Sequence, residues 1–306
     1  MTKLNDYVKN YDIRGDMTLN ELTSQMMDAG FQATNIGRAI ETIKAMKEEK
    51  EITVILSFTA NMMATGLRSI FAKMVKEKFV DVVITTGGSI DHDIILSHDK
   101  YGLGDFNMND VELHKKGLNR LGNTLIPTDR YVLLEEKIKP IFEDVYKKNK
   151  TTNPSDLINE IGKTLKDDNS VLKWASKNDI PIFCPGITDS SIGLQMFFYK
   201  QDHPDFVVDV TGDMKKLANI VLLSKKTGGI ILGGGVSKHH AIGVNVVRGG
   251  LDYAIYVTTA EQWDGSLSGA RTNEAVSWGK IQEKARPVTV HGDATIVFPL
   301  IMSRFF

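Results

Sequence analysis

The sequence predicts an α/β protein built on a doubly wound, mostly parallel sheet with helices on both faces. Short runs of β-branched and apolar residues, such as Ile52–Leu56 and Val80–Ile84, alternate along the chain with segments that have helical spacing. These runs are mostly apolar and are separated by amphipathic helices, which is typical of a mostly parallel sheet with helices on both faces. Most of the strand-like runs also end in small polar residues, as expected where parallel strands turn into helices.

The predicted elements follow one another in a regular order. Thr18 and Glu21 form a capping-box pattern, which predicts that an N-terminal helical extension begins there. A second helix is expected from about 35 to 50, because isoleucines recur at helical spacing. The other helix signals are Leu67–Met74, the segment opened by Asn153-Pro154, and 213–226. The other strand signals are Ile180–Cys184, Gly229–Leu232, Tyr253–Val257, Val288–Val290 and Thr295–Phe298.

No internal repeat or long linker divides the chain. We therefore expect a single domain over residues 1–306. The region from 99 to 150 has the least regular pattern, and we interpret it as an excursion from the sheet.

Composition excludes several classes of protein. A net charge of −1 over 306 residues does not indicate the basic surface of a nucleic-acid-binding protein. No stretch approaches 18 apolar residues, and Met1–Asp6 lack the apolar run of a signal peptide, so we expect no membrane segment. The single cysteine, Cys184, lies in an apolar run and suits a buried thiol in a reducing compartment. The protein is therefore expected to be cytoplasmic.

Small and polar residues follow six of the predicted strands. The segments are Thr59-Ala60-Asn61, Thr85–Asp93, Thr188–Ser191, Gly233–His240, Thr258–Ala260 and His291–Ala294. At the carboxyl edge of a parallel sheet, such residues allow backbone N–H groups to approach a phosphate. Turns alone also require these residue types, but six such segments at one edge favour a dinucleotide site. No strict G-x-G-x-x-G pattern is present.

A second cluster runs from Asp264 to Lys280. In a helix over 273–280, Glu274 and Trp278 would share a face, and an acid beside an indole suits a cationic amine. Spacing alone equally fits a surface helix with an ion pair and a packed tryptophan. His239 and His240 are adjacent and lack zinc-ligand spacing, so a general base or an amine-binding or structural imidazole is favoured over a metal site.

These residues carry a recognisable pattern. Asp264-Gly265-Ser266-x-Ser268-Gly269-Ala270-Arg271 and Asn273–Lys280 resemble the active-site segment of the deoxyhypusine synthase family. The likeness extends through Gly30–Thr34, Asn119–Asn123, Glu160–Lys163, Pro185–Asp189 and Gly233–His240. The segment Thr85–Asp93 and the leucine at position 267 resemble the archaeal branch of the family.

The resemblance implies a Rossmann-like homotetramer with active sites at subunit interfaces. It implies that NAD contacts Ala60, Asn61, Met62, Met63, Ala64, Thr85, Thr86, Gly87, Asp189, Gly234, Thr259, Ala260, Asp293 and Ala294. It places a polyamine near Asp91, His239, Asp264, Gly265, Ser266, Ser268, Glu274 and Trp278. Lys280 matches the family's nucleophile, His239 is the expected proton acceptor, and no metal is implied.

The implied reaction moves the 4-aminobutyl group of spermidine through an imine on Lys280 to a lysine of the hypusine-containing translation factor. This sequence departs from the eukaryotic pattern of the family, in which acids stand at the positions of Leu194 and Leu267 and an asparagine at that of Gly243. Agmatine is therefore a second candidate donor. Two other hypotheses are a polyamine-to-polyamine transfer of the homospermidine synthase kind and an inactive NAD-bound paralogue.

Overall fold

The computed structural model describes residues 6–306. Its helices are α1 Leu19–Gln25, α2 Phe31–Glu48, α3 Ala60–Met63, α4 Leu67–Lys76, α5 Gly87–Leu96, α6 Asp110–Lys115, α7 Asp129–Lys148, α8 Pro154–Thr164, α9 Val171–Asn178, α10 Ser191–Asp202, α11 Val210–Leu223, α12 Gly235–Gly243, α13 Thr272–Ser277 and α14 Ala294–Met302. Its strands are β1 Ile52–Phe58, β2 Val82–Ile84, β3 Gly102–Leu103, β4 Leu118–Leu121, β5 Thr124–Pro127, β6 Thr151–Thr152, β7 Ile182–Phe183, β8 Val207–Val208, β9 Lys226–Leu232, β10 Leu251–Thr258 and β11 Ile281–His291.

The predicted fold class is confirmed. Six strands form one sheet in the order β11-β10-β9-β1-β2-β7, and β10 pairs parallel with both β9 and β11, as β2 does with β7. The region from 99 to 150 does lie outside this sheet, because its strands form a separate antiparallel sheet in the order β3-β5-β4.

The contacts within the chain define two compact units. Unit 1 contains the chain up to Ile55 together with Val221–Phe306, and unit 2 contains Leu56–Ile220, so that strand β1 passes through the boundary. The expectation of one domain over residues 1–306 stays a prediction.

In unit 1, α2 packs against β10 and β11. The predicted helical face is buried, since Ile36, Ile40 and Ile43 are all at most 7% exposed. The N-terminal extension begins as predicted, because the Thr18 side chain accepts a hydrogen bond from the N–H of Glu21 and the Glu21 carboxylate accepts one from the N–H of Thr18.

In unit 2, α4 and α8 both pack against α9 around a buried ion pair. The Nε atom of Arg68 donates to Asp93 at 2.7 Å, and the same carboxylate accepts from the Ser170 hydroxyl at 2.9 Å and from the N–H of Leu172 at 2.8 Å. The network connects α4 and α5 with the start of α9.

The strand predicted at Thr295–Phe298 is wrong, because these residues belong to helix α14. Asp293 caps this helix by accepting hydrogen bonds from the N–H and the hydroxyl of Thr295. The buried positions 294, 297, 298, 301 and 302 recur at helical spacing. The helix predicted at 213–226 lies three residues earlier, at Val210–Leu223, since strand β9 already begins at Lys226.

None of the helices within residues 6–306 is long and apolar enough to cross a membrane. Met1–Asn5, which contributed to the expectation of a cytoplasmic protein, lie outside the described residues.

Candidate active site

Three strand ends meet in unit 2. Strands β1, β2 and β7 lead into α3, α5 and α10, respectively. The N–H of Ala60 donates to the Thr86 hydroxyl at 3.1 Å, and the Thr85 hydroxyl donates to the carbonyl of Phe58 at 2.8 Å. A Cβ atom on Gly87 would lie only 2.4 Å from Cβ of Ser190, so the start of α5 abuts the start of α10. The predicted cofactor segments of this unit, Ala60–Ala64, Thr85–Gly87 and Asp189, therefore surround one set of strand ends.

Asp91 is held by the backbone in unit 2. Its two carboxylate oxygens accept hydrogen bonds from the N–H groups of Ser191 and Ile192, at 2.8 and 2.9 Å. Burial raises the pKa of this carboxyl to about 6. Asp91 and Asp189 also line a cavity of about 880 Å³. The side chain thus anchors the start of α10, and its predicted contact with a polyamine stays a prediction.

Three further strand ends meet in unit 1. The N–H of Gly233, after β9, donates to Val257 at 2.8 Å, and the N–H of Gly292, after β11, donates to Thr258 at 2.9 Å. The predicted cofactor residues of this unit, Gly234, Thr259-Ala260 and Asp293-Ala294, lie in the segments joined by these bonds.

Ser268 is packed into this edge. Its hydroxyl accepts from the N–H of Gly235 at 3.2 Å, and its carbonyl accepts from the Thr258 hydroxyl at 3.1 Å. A Cβ atom on Gly234 would lie 2.2 Å from Oγ of Ser268, so only glycine allows this approach. The segment Asp264–Arg271 is therefore attached to the strand ends through Ser268.

Lys280 lies at a sharp turn between α13 and β11. Gly279 has a φ of +67°, the N–H of Lys280 donates to Ala275 at 3.0 Å, and the carbonyl of Lys280 accepts from Leu251 at 3.0 Å. The backbone of Lys280 is thus bonded on both sides, and its side chain extends from a defined position.

The Lys280 side chain lines a cavity of about 290 Å³ in unit 1. The lining residues are Lys238, His239, Ile242, Tyr256, Gly265, Leu267, Ala270, Arg271, Glu274, Ala275, Trp278 and Lys280. Five predicted site residues meet here: both catalytic candidates together with Gly265, Glu274 and Trp278. Asp264, Ser266 and Ser268 lie on the adjoining segment and do not line the cavity, and the Asp264 carboxylate accepts from the N–H of Ser266 at 2.7 Å.

Trp278 forms an exposed wall of this cavity, with 68% of its surface accessible. The Nζ atom of Lys280 stands 5.4 Å from the centroid of the indole ring. An indole face attracts a cationic group, and Glu274 in the same wall adds a negative charge. The cavity can therefore bind an ammonium group close to a lysine amine.

Lys238 is a functional candidate that the sequence did not single out. Its side chain is almost fully buried, and Nζ donates to the carbonyls of Leu267 and Ala270 at 2.7 and 2.6 Å. Burial lowers the pKa of Lys238 to about 8, and the charge of Glu274 opposes this effect. The only available signal was its position next to His239, since a lysine in a glycine-rich loop is ordinarily exposed.

Tyr256 is a second residue without a predicted role. Its ring lies 4.2 Å from Nζ of Lys238, and its hydroxyl is buried with no hydrogen-bond partner within residues 6–306. Burial and the charge of Glu274 both raise the pKa of the phenol. Tyr256 also lines the cavity, although its hydroxyl oxygen is closed to solvent. In the part of the chain that the structure describes, no group of three or more His, Cys, Asp or Glu residues is placed to hold a metal ion.

Comparison with known proteins gives one consistent result. Residues 21–305 match the family model described as deoxyhypusine synthase. The "Probable deoxyhypusine synthase" of Thermoplasma acidophilum is 45% identical over 300 residues, which cover 97% of this chain and 96% of that protein. The deoxyhypusine synthase of Senecio vernalis is 40% identical over 328 residues, covering 98% and 88%. The crystal structure of a deoxyhypusine synthase candidate from Entamoeba histolytica superposes with a TM-score of 0.70 at 29% identity, covering 97% and 96%.

Proposed function

The chain belongs to the deoxyhypusine synthase family, and we propose that it transfers the 4-aminobutyl group of spermidine to one lysine of the hypusine-containing translation factor. Membership supports the transfer and its protein acceptor. The proposal further includes the dependence on NAD and the route through an imine on Lys280. One observation carries the route through Lys280: Lys280, His239, Glu274 and Trp278 line the same cavity.

The strand ends fit a bound dinucleotide. Helix α5 begins at Gly87-Gly88, and its N-cap residue Thr86 forms no side-chain hydrogen bond to the helix. The first N–H groups of α5 therefore remain available to the oxygens of a diphosphate, whereas the N–H of Gly235 at the start of α12 already donates to the Ser268 hydroxyl. In this proposal NAD is held by the residues that the family resemblance implies, and when bound it accepts a hydride from an amine-bearing carbon and later returns it.

The side chains that line the Lys280 cavity bind the donor, accept its proton and supply the nucleophile. Glu274 and the Trp278 ring hold the ammonium group of the donor, and the imidazole of His239 takes the proton that leaves the donor nitrogen. The neutral amine of Lys280 then adds to the oxidised carbon, and 1,3-diaminopropane leaves with the electron pair of the broken C–N bond. The butylamine group stays on Lys280 as an imine until the acceptor lysine displaces Nζ.

The identity of the donor depends on a small number of charges. Glu274 is the one carboxylate among the residues that line the cavity, whereas Lys238, Arg271 and Lys280 are basic. Leu267 lines the cavity where the eukaryotic pattern has an acid. Spermidine is the proposed donor, and agmatine is the second candidate because it carries two cationic groups where spermidine carries three.

A homotetramer and a cytoplasmic location are also part of the proposal. An interface between subunits would allow a neighbouring subunit to add carboxylates to this cavity. Cys184 is a free, buried thiol, which suits a reducing compartment.

Trapping with borohydride tests the nucleophile. The protein is incubated with NAD and spermidine, reduced with borohydride and digested, and the modified peptide is identified by mass spectrometry. The wild type and Lys284→Ala, a control at an exposed lysine on β11, are expected to carry the butylamine adduct on Lys280. Lys280→Ala is expected to carry none while still binding NAD. Equal trapping in both variants would exclude Lys280 as the nucleophile.

Labelled spermidine tests the acceptor. The label is expected to appear in the added translation factor and to be lost when the lysine that receives it is replaced by arginine. Labelling of free putrescine alone would favour a polyamine-to-polyamine transferase. An inactive paralogue would label neither acceptor and would give no adduct.

A further inference from the structure

Unit 2 contains a cavity of about 460 Å³ that none of the predicted site residues line. It lies between α8, α9, α11 and strand β7. About half of its lining residues are apolar, and Ile158, Leu172, Ala175 and Phe183 among them are buried. Its volume lies in the range of small-molecule sites.

This cavity meets β7 at the edge of the strand. Successive side chains of a strand point to opposite faces of the sheet. A cavity lined by both Ile182 and Phe183, and by the two residues before them, therefore contacts the backbone edge rather than one face. That edge is open to a ligand, because β7 is the last strand of the six-stranded sheet.

The backbone groups of Ile182 point towards this edge. Strand β2 pairs with the other side of β7: the N–H of Val83 donates to the carbonyl of Pro181, and the N–H of Thr85 donates to that of Phe183, both at 3.0 Å. In a parallel ladder the residue between these two carbonyls directs its own N–H and C=O away from the partner strand. Ile182 therefore presents a donor and an acceptor, side by side, to the cavity.

The mouth of the cavity is polar. The Nζ atom of Lys216 pairs with the Asp156 carboxylate at 2.6 Å, and Asn159, Asp179 and Asn219 complete the rim. Such a rim can bond the hydroxyls of a ligand whose ring is buried among the apolar residues.

We propose that this cavity binds a purine-type heterocycle, as a nucleobase or nucleoside. A purine edge carries a ring nitrogen that accepts next to an amino or amide N–H that donates, which complements the N–H and C=O of Ile182. The flat, apolar faces of the ring suit the walls formed by Ile158 and Leu172. An added peptide strand does not suit this edge, because β7 has only two residues and supports too short a ladder.

Binding of adenosine to the whole protein tests the site, with saturation-transfer NMR and calorimetry as the measurements. The wild type is expected to bind adenosine, and Ala175→Phe, which fills the cavity, should weaken binding by about tenfold or more. Lys177→Phe adds the same bulk at an exposed position of α9 outside the lining, and it should leave binding unchanged.

Ile182→Pro removes the outward N–H and none of the bonds to β2, so it should also weaken binding by about tenfold. Circular dichroism and the melting temperature report whether this variant folds, and Ala175→Phe decides the question if it does not. Absence of adenosine binding to the wild type would overturn the proposal. Undiminished binding to Ala175→Phe would do so as well, because it would place adenosine at another site, such as the one proposed for NAD.

Discussion

The Nζ atom of Lys238 lies 2.6 Å from the carbonyl oxygen of Ala270, inside a side-chain environment that is almost completely closed to water. A second bond, to the carbonyl of Leu267, means that one lysine holds both ends of a four-residue segment. Ser268, within this segment, is bonded to the strand ends through Gly235. Lys238 therefore connects the wall of the Lys280 cavity with the predicted cofactor edge of unit 1.

Replacement of this lysine by methionine should reduce activity more than stability at neutral pH. Lys238→Met removes both bonds to the 267–270 segment, so kcat/KM is expected to fall by about tenfold or more, equivalent to the loss of ~1.4 kcal/mol of transition-state binding. The cost of burying a charge disappears at the same time, which offsets part of the loss in folding free energy. Steady-state kinetics and urea denaturation, with Lys284→Met as an exposed control, measure the two effects.

The same residue predicts a pH dependence of stability. Burial lowers the pKa of Lys238 to about 8 in the folded protein, below the ordinary value of 10.5, so the folded state binds fewer protons than the unfolded state between these values. The unfolding free energy of the wild type should therefore rise relative to Lys238→Met as the pH increases from 8 to 10.5, by about 3 kcal/mol. A constant difference over this range would show that the pKa of Lys238 is not lowered.

The buried ion pair between Arg68 and Asp93 should dominate the stability of unit 2. Arg68 pairs with two carboxylates, and Asp93→Asn removes the charge of the fully buried one while Asp167 remains at 2.6 Å. This change is expected to lower the unfolding free energy by about 3 kcal/mol. Asp110→Asn breaks a bidentate pair with Arg120 that lies at the surface, so its effect should be far smaller. Urea denaturation of both variants compares them, and equal losses would contradict the importance of burial.

The sequence allowed the fold class and the strand-end clusters to be predicted, because both depend on local patterns. The role of Lys280 came only from the resemblance, since spacing alone left it at the end of an ordinary helix. The β-branched residues of Thr295–Phe298 predict a strand, but the Asp293 cap starts a helix there. The burial of Lys238 and the bonds from Asp91 to α10 depend on segments distant in the sequence, and no local pattern reports such contacts.

The close approach of Gly234 to Ser268 predicts a strict requirement for glycine. In Gly234→Ala the new Cβ atom would lie 2.2 Å from Oγ and 2.4 Å from Cα of Ser268, so the two segments must separate. We expect a loss of ~1–3 kcal/mol in unfolding free energy and weaker binding of NAD. Gly15→Ala, also in unit 1, meets no atom within 4 Å and should change neither quantity appreciably. If Gly234→Ala binds NAD as tightly as the wild type does, Gly234 is not part of the cofactor site.

Leu267 provides the sharpest test of donor choice. Its side chain lines the Lys280 cavity, in which Glu274 is the one carboxylate. Leu267→Asp adds a second negative charge at the position where the eukaryotic pattern has an acid, so a donor with several ammonium groups should gain most. The KM for spermidine is expected to fall by about threefold to tenfold, in line with a partly exposed ion pair of ~1 kcal/mol.

Agmatine should gain less from this change, because it carries two cationic groups and spermidine carries three. The control Leu267→Asn introduces a side chain with the shape of aspartate but without its charge. It should not lower the KM for spermidine. Equal effects of aspartate and asparagine would mean that the polarity of the wall matters and its charge does not. An unchanged preference between the two donors in Leu267→Asp would mean that the second ammonium of spermidine binds away from Leu267, against a carboxylate outside this cavity.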